Sequence, residues 1–219
     1  MDMSLYITYW PILSKGFMFT LLVCSIGILL ALVGGLLLYG LSRIGLRITN
    51  LIYFVYLYIF RGTPLLVQVY LVYYGGPFVG LHLSAEQVGI FGLGMYGAAY
   101  FSEIYRSGFA SVPKGHLEAG YDLGYSRWQI LIHIQIPQML GLIIPPSINQ
   151  IIILIKESAI LSIITVAELT TAATTMATQT FTVVEPYLFL AFSYWSITFV
   201  VAKIGSWCEH RATLHLSRS

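Results

Sequence analysis

Charge is what this sequence has least of. Only 9% of its 219 residues are Asp, Glu, Lys or Arg, against roughly 25% in an ordinary soluble domain. So few charges cannot coat a water-facing surface, which excludes a soluble enzyme and a disordered chain. Cysteine is nearly absent too. Cys24 and Cys208 stand at opposite ends, which implies neither a disulfide scaffold nor a metal site. No short apolar leader with a small-residue cleavage site opens the chain, so the first apolar run is expected to be retained. The net charge of +2 is too small to suggest nucleic acid as a partner.

Nucleotide and catalytic motifs are missing as well. No G-x-x-x-x-G-K-[ST] run is present to cradle phosphates. Gly92-Leu-Gly94-Met-Tyr-Gly97 matches G-x-G-x-x-G, but inside an apolar run rather than at a strand-to-helix turn. Small residues that let helices pack closely in lipid are the better reading. His82, His116, His133, His210 and His215 are not at metal-ligand spacing, and no H-E-x-x-H appears. No nucleophile and base pair in facing runs, so the chain is read as a non-enzyme without a cofactor of its own.

What is present is apolar: 58% of residues are hydrophobic and the mean hydropathy is +0.81. A membrane-spanning helix needs about 20 apolar residues. The sequence supplies about five such runs, at 17–39, 51–74, 85–103, 137–155 and 187–202. These predict an all-α integral membrane protein, with residues 1–219 forming one transmembrane domain. The second run is interrupted by Arg61-Gly-Thr-Pro64, and Lys156-Glu157-Ser158 interrupts the long stretch after Pro137. The charges there predict a break or bend. Residues 106–136 form the one long polar stretch. If it is cytoplasmic, eight of the eleven basic residues fall inside: Arg43, Arg47, Arg106, Lys114, Arg127, Lys203, Arg211 and Arg218. The positive-inside rule then predicts the N-terminus outside and the C-terminus in the cytoplasm. Tyr6, Tyr9 and Trp10 fit an outer aromatic belt, with Trp195 and Trp207 serving the last span.

Within the polar stretch, Pro113 can open a helix and Gly124 can end one. Leu117, Tyr121 and Leu123 give one apolar stripe; Trp128, Ile130, Leu131 and Ile134 give a second, leading to a boundary at Pro137. Two short helices on the inner face of a membrane suit either a simple interfacial loop or a knob for a partner protein. The run Glu118-Ala119-Gly120, then Gly124, then Ile134-x-Ile136-Pro137 resembles the EAA loop of bacterial ABC importer permeases for polar amino acids and opines. Arg61-Gly-Thr-Pro-Leu-Leu-Val-Gln68, Ser111-Val-Pro-Lys-Gly115, Pro145-Pro146 with Asn149, Lys156-Glu-Ser158 and Glu168-Leu169 follow in the family's order. Gly120 replaces the usual second alanine, Ile136 a leucine, and Gly141 an arginine found in many relatives.

The resemblance implies a type I-like permease working by alternating access in the bacterial inner membrane. ATP and Mg would be bound by two partner ATP-binding subunits. A second permease, identical or related, and a periplasmic or extracellular substrate-binding protein would complete the importer. Pro113, Lys114, Gly115, Glu118, Ala119, Gly120 and Gly124 would couple it to the ATPase. Ionisable groups within spans are functional candidates by default. Arg61, Thr63, Gln68, Tyr100, Glu157, Ser158 and Ser162 are therefore candidate substrate contacts, with Asn149 a further cavity-wall candidate. Arg61 suits a substrate carboxylate, or alternatively a structural pair with Glu157. Glu157 suits a basic amino acid or basic opine, or a charge balance with Lys156. Glu103 and Arg106, at i,i+3, are expected to pair. The competing reading is a secondary amino acid transporter driven by an ion gradient, which predicts inverted repeats; none is visible.

Overall fold

The computed structural model describes residues 3–213 and is helical throughout, with no strand among them. His215 and Arg218 lie outside the described residues. Helix α1 runs unbroken from Met3 to Arg43, well beyond the expected span. Helix α2 (Arg47–Gly62) is followed by α3 (Leu65–Tyr70), which continues through a π-helical turn, Leu71–Gly75, and a 3₁₀ turn, Gly76–Val79. Helix α4 spans Ala85–Ala110. Helix α5 (Lys114–Asp122) precedes α6 (Arg127–Ile130), which joins α7 (Ile136–Glu157) through the π turn Leu131–Gln135. After a 3₁₀ turn, Ser158–Ile164, come α8 (Leu169–Thr180) and α9 (Val184–Thr213).

By length and apolar composition, three helical stretches can cross a membrane: Met3–Arg43, Arg127–Ile164 and Val184–Ala212. A fourth is the pair Arg47–Gly62 and Leu65–Val79, bent by 104° at the Thr63-Pro64 break. The expected count of about five therefore includes α4, which falls short on hydropathy. Its sequence is rich in Gly, Ala and Tyr rather than Leu and Ile, because protein covers it. Val88, Leu93, Ala98, Ala99 and Phe101 are all buried. The packing against α1 depends on missing side chains: a Cβ on Gly97 would lie 2.6 Å from Ala31 Cβ, and one on Gly94 2.9 Å from Leu30 Cβ. The glycine motif in this run is thus a helix-packing surface.

Two expectations about the chain's breaks are corrected. Pro137 is not a helix boundary, because the helix passes straight through it from Arg127 to Ile164. A proline lacks the N–H for the i→i−4 bond and its ring crowds that carbonyl. The π turn over Leu131–Gln135 widens the ladder just ahead of it and relieves both problems. At Lys156-Glu157-Ser158 the helix tightens to 3₁₀ geometry rather than breaking. It stops only at Thr165, in the left-handed region at φ 63°. Beyond Thr165 the chain forms α8. Glu168 caps it, accepting bonds from the N–H groups of Thr170 and Thr171, both at 2.8 Å.

Candidate functional site

Arg61 occupies the last turn of α2, on the same stripe as Tyr53 and Leu57, both buried at i−8 and i−4. That stripe faces the C-terminal half of α4. The Arg61 guanidinium lies 3.5 Å from a Glu103 carboxylate oxygen and 5.3 Å from the ring centroid of Tyr100. Glu103 also accepts two bonds from Arg106, at 2.7 and 3.0 Å, and one from the Tyr53 hydroxyl at 2.7 Å. Arg61 therefore pairs with Glu103, which corrects the alternative pairing with Glu157. The i,i+3 pair of Glu103 and Arg106 forms as the spacing predicts. Two guanidiniums surround one carboxylate, so the cluster carries a net positive charge.

The cluster stands between two cavities. One, of about 660 Å³, is walled by α2 from Tyr53 to Gly62 and by Tyr100, Glu103 and Arg106. The other, of about 480 Å³, extends from Arg61, Tyr100 and Glu103 past Ser107 and Ser111 to Leu142, Pro146, Asn149 and Gln150 of α7. A further polar link runs from Tyr100 to the hydroxyl of Tyr96 at 3.2 Å. The remaining candidates divide. Thr63 and Gln68 line neither cavity: Thr63 donates to Ile59 O at 2.7 Å, and the Gln68 amide turns back onto the α2 terminus. Ser158 and Ser162 donate to Ile155 O and Ala159 O of their own helical stretch.

In the polar stretch, Pro113 sits at the N-cap of α5. The helix ends in a Schellman turn, with Tyr125 N–H on Gly120 O at 3.0 Å and Gly124 N–H on Tyr121 O at 2.9 Å. Gly124 has φ 81°, a left-handed conformation that glycine adopts without the strain a side chain would bring. Ser126 and Gln129 then form a reciprocal capping box that starts the long helix. Lys114, Gly115, Glu118 and Ala119 are exposed, whereas Gly120 is buried against Ile130 and Ile134. The expected apolar stripe splits. Leu117 packs inward with Val112, Met139 and Ile143, while Tyr121, Leu123 and Trp128 face outward, uncovered among the described residues.

Residues 25–213 match the family of binding-protein-dependent transport system inner membrane components. The chain belongs to this family. Among the permease's relatives is a "probable amino-acid ABC transporter permease protein" of Bacillus subtilis (strain 168). It is 34% identical, over 95% of this chain and 92% of the other. The L-cystine transport system permease of the same organism is 33% identical, over 96% and 91%. The octopine transport system permease of Rhizobium meliloti is 34% identical, over 72% and 71%. A crystal structure of an amino acid ABC transporter with histidines contains a chain that superposes with a TM-score of 0.88. Its identity is 31%, over 96% of the permease and 99% of that chain. These findings favour an ABC permease subunit, a multi-pass inner membrane protein, over an ion-driven secondary transporter.

Three residues around the permease's polar clusters are not among the candidate site residues, although Glu168 stands in the Glu168-Leu169 pair of the family-like motifs. Tyr53 could have been found as the i−8 neighbour of Arg61 on one helix face. Gln150, 5% exposed and with its amide nitrogen unpartnered, adjoins Asn149 on α7. Glu168 is buried and also accepts from the Tyr194 hydroxyl at 3.1 Å. An ionisable group in an apolar stretch was the available signal.

Proposed function

We propose that this permease forms the translocation path of an ABC importer for a polar amino acid or opine, and that Arg61 receives the substrate's carboxylate. The observation that carries this reading is the net-positive cluster of Arg61, Glu103 and Arg106 at the junction of two cavities. A guanidinium binds a carboxylate through parallel N–H donors, and Arg61 is already held in place by Glu103 and Tyr100. Tyr100, Asn149 and Gln150 supply the polar wall. Glu157, an ionisable group at the end of α7, would attract the cationic end of a basic substrate. Ser158, Ser162, Thr63 and Gln68 support the backbone around the path.

The exposed Glu118, Lys114 and Ala119, with the uncovered Tyr121, Leu123 and Trp128, form the knob that docks on an ATP-binding subunit. ATP and Mg stay on that partner, and the permease contributes no catalytic group. Two ATP-binding subunits, a second permease copy or relative, and a substrate-binding protein complete the assembly. Residues 1–219 act as one domain, with the N-terminus outside and the C-terminus cytoplasmic, as the basic residues favour. Movement of the knob is transmitted along the unbroken Arg127–Ile164 helix to Asn149 and Gln150, which gives alternating access a lever.

Proteoliposomes holding the permease with its ATP-binding subunits and binding protein test the reading by ATP-dependent uptake. Arg61→Gln is expected to raise the half-saturating concentration of amino acids by about tenfold or more, the loss of a charged hydrogen-bonded partner. Unchanged uptake would overturn the carboxylate assignment.

A further inference from the structure

The break between α2 and α3 has a chemical problem. The last carbonyls of α2 have no helical partner, and at membrane depth an unsatisfied carbonyl is tolerated only where protein or water serves it. One side chain serves the Phe60 carbonyl and that of the capping residue Thr63. The Gln68 amide nitrogen lies 3.2 Å from Phe60 O, 3.1 Å from Thr63 O and 2.9 Å from Thr63 Oγ1. Thr63 Oγ1 in turn donates to Ile59 O. Three acceptors fix which end of the amide is nitrogen, and the other end, Oε1, is buried without a partner. Gln68 itself is anchored, because its neighbours Leu65 and Val69 on α3 are 1% and 2% exposed. A side chain on a fixed helix thus grips the terminus of another, and Arg61 lies between the residues it grips.

We infer that Gln68 is a positioning residue: it latches the end of α2 to α3 across the 104° bend and so sets where the Arg61 guanidinium points. It touches no substrate. This removes Gln68 from the candidate substrate contacts, and its consequence for transport rests on the assignment of Arg61 to the substrate carboxylate. A donor is required. Gln68→Met keeps the length and loses the donor, and Thr63→Val loses the bridging hydroxyl while keeping the shape.

The test has two arms, both on the full permease assembled with its ATP-binding subunits. In the first, Cys24 and Cys208 are replaced by Ala, and spin labels are placed at Val55→Cys and Leu71→Cys, exposed positions on either side of the bend. The distance distribution is expected to broaden about twofold in Gln68→Met and less in Thr63→Val, as a hinge released from its clasp would. In the second, uptake is measured for several amino acids and for their carboxamides. Gln68→Met is expected to weaken all the amino acids alike, by about five- to tenfold, and the carboxamides hardly at all. It should add nothing in an Arg61→Gln background, because groups acting as one unit are not additive. An unbroadened distribution in both variants overturns the latch whatever transport does. Losses that vary with the substrate's side chain, or add to those of Arg61→Gln, overturn it in favour of direct contact. A broadened distribution with carboxylate preference intact in Arg61→Gln upholds the latch and defeats the carboxylate assignment instead.

Discussion

Replacing Glu103 by Gln keeps the side chain's shape and one oxygen for Tyr53, and removes the carboxylate that Arg61 and Arg106 share. The electrostatic loss can be worked from the distances. At 3.5 Å, a unit pair is worth roughly 5 kcal/mol at an effective dielectric of about 20. That is an upper bound, since the side chains of Arg61 and Arg106 are 42% and 54% exposed. Solvent screening reduces such pairs to about 1 kcal/mol each. The bidentate geometry of Arg106 keeps its pair near the top of that range, so the variant should lose about 2 kcal/mol in all. In thermal unfolding of the purified permease in detergent this corresponds to a midpoint lowered by about 4–8 °C. Because screening governs the magnitude, the gap between wild type and variant should narrow in 1 M NaCl, where the Debye length is about 3 Å. The double variant Glu103→Gln with Arg61→Gln, which removes the pair across α2 and α4, should be more stable than the sum of its parts. Equal stabilities at low salt, or strict additivity, would refute the picture of one carboxylate holding two helices together.

Glycines of the α4 motif should respond oppositely. Gly97→Ala forces a Cβ to within 2.6 Å of Ala31 Cβ and is expected to cost about 1–3 kcal/mol by overpacking. Gly92→Ala has ordinary room, 3.7 Å to Val69, and should be neutral or stabilising by up to about 1 kcal/mol; thermal melts that rank them the other way would show that α1 and α4 do not pack as described. Glu118→Lys should abolish ATP-driven uptake while the permease still inserts and folds, and normal uptake would remove the coupling role of α5. Glu157→Gln should weaken uptake of basic amino acids about fivefold more than that of neutral ones, about 1 kcal/mol for a lost charge contact. Equal effects in competition assays would end the case for a cationic substrate group there.

Much of this was legible because lipid makes the sequence speak in long apolar runs. The break at Arg61-Gly-Thr-Pro64 and the Glu103 to Arg106 pair depend on chain-local chemistry, so spacing alone located them. The stop at Gly124 and the helix start at Pro113 were equally local. What failed required knowledge across the chain. Arg61 and Glu103 are 42 residues apart, and no periodicity states that α2 and α4 meet there rather than α2 and α7. The boundary at Pro137 failed for another reason: a π turn can absorb a proline, and nothing in Leu131–Gln135 announces one. The apolar stripe of α5 was read as one face because Leu117 and Tyr121 are four apart, yet only Leu117 meets Met139 and Ile143.

Departures from helical regularity show where the chain spends stability on something other than folding. Three of them stand out: the Thr63-Pro64 break, the π turn before Pro137, and Thr165 at φ 63°. The π turn and Thr165 are closed locally, the first by the continuing helix and the second by a bond from Thr165 N–H to Ser162 O at 3.0 Å. The break is different. It is closed by side chains, the Thr63 hydroxyl on Ile59 O and the Gln68 amide reaching back from the next helix, and it leaves a charged residue beside two cavities. A chain selected for stability alone would bridge this point with an ordinary helix and no arginine. Retaining both makes sense if the terminus of α2 has to present a cation at a fixed angle, which is the requirement that Gln68 meets.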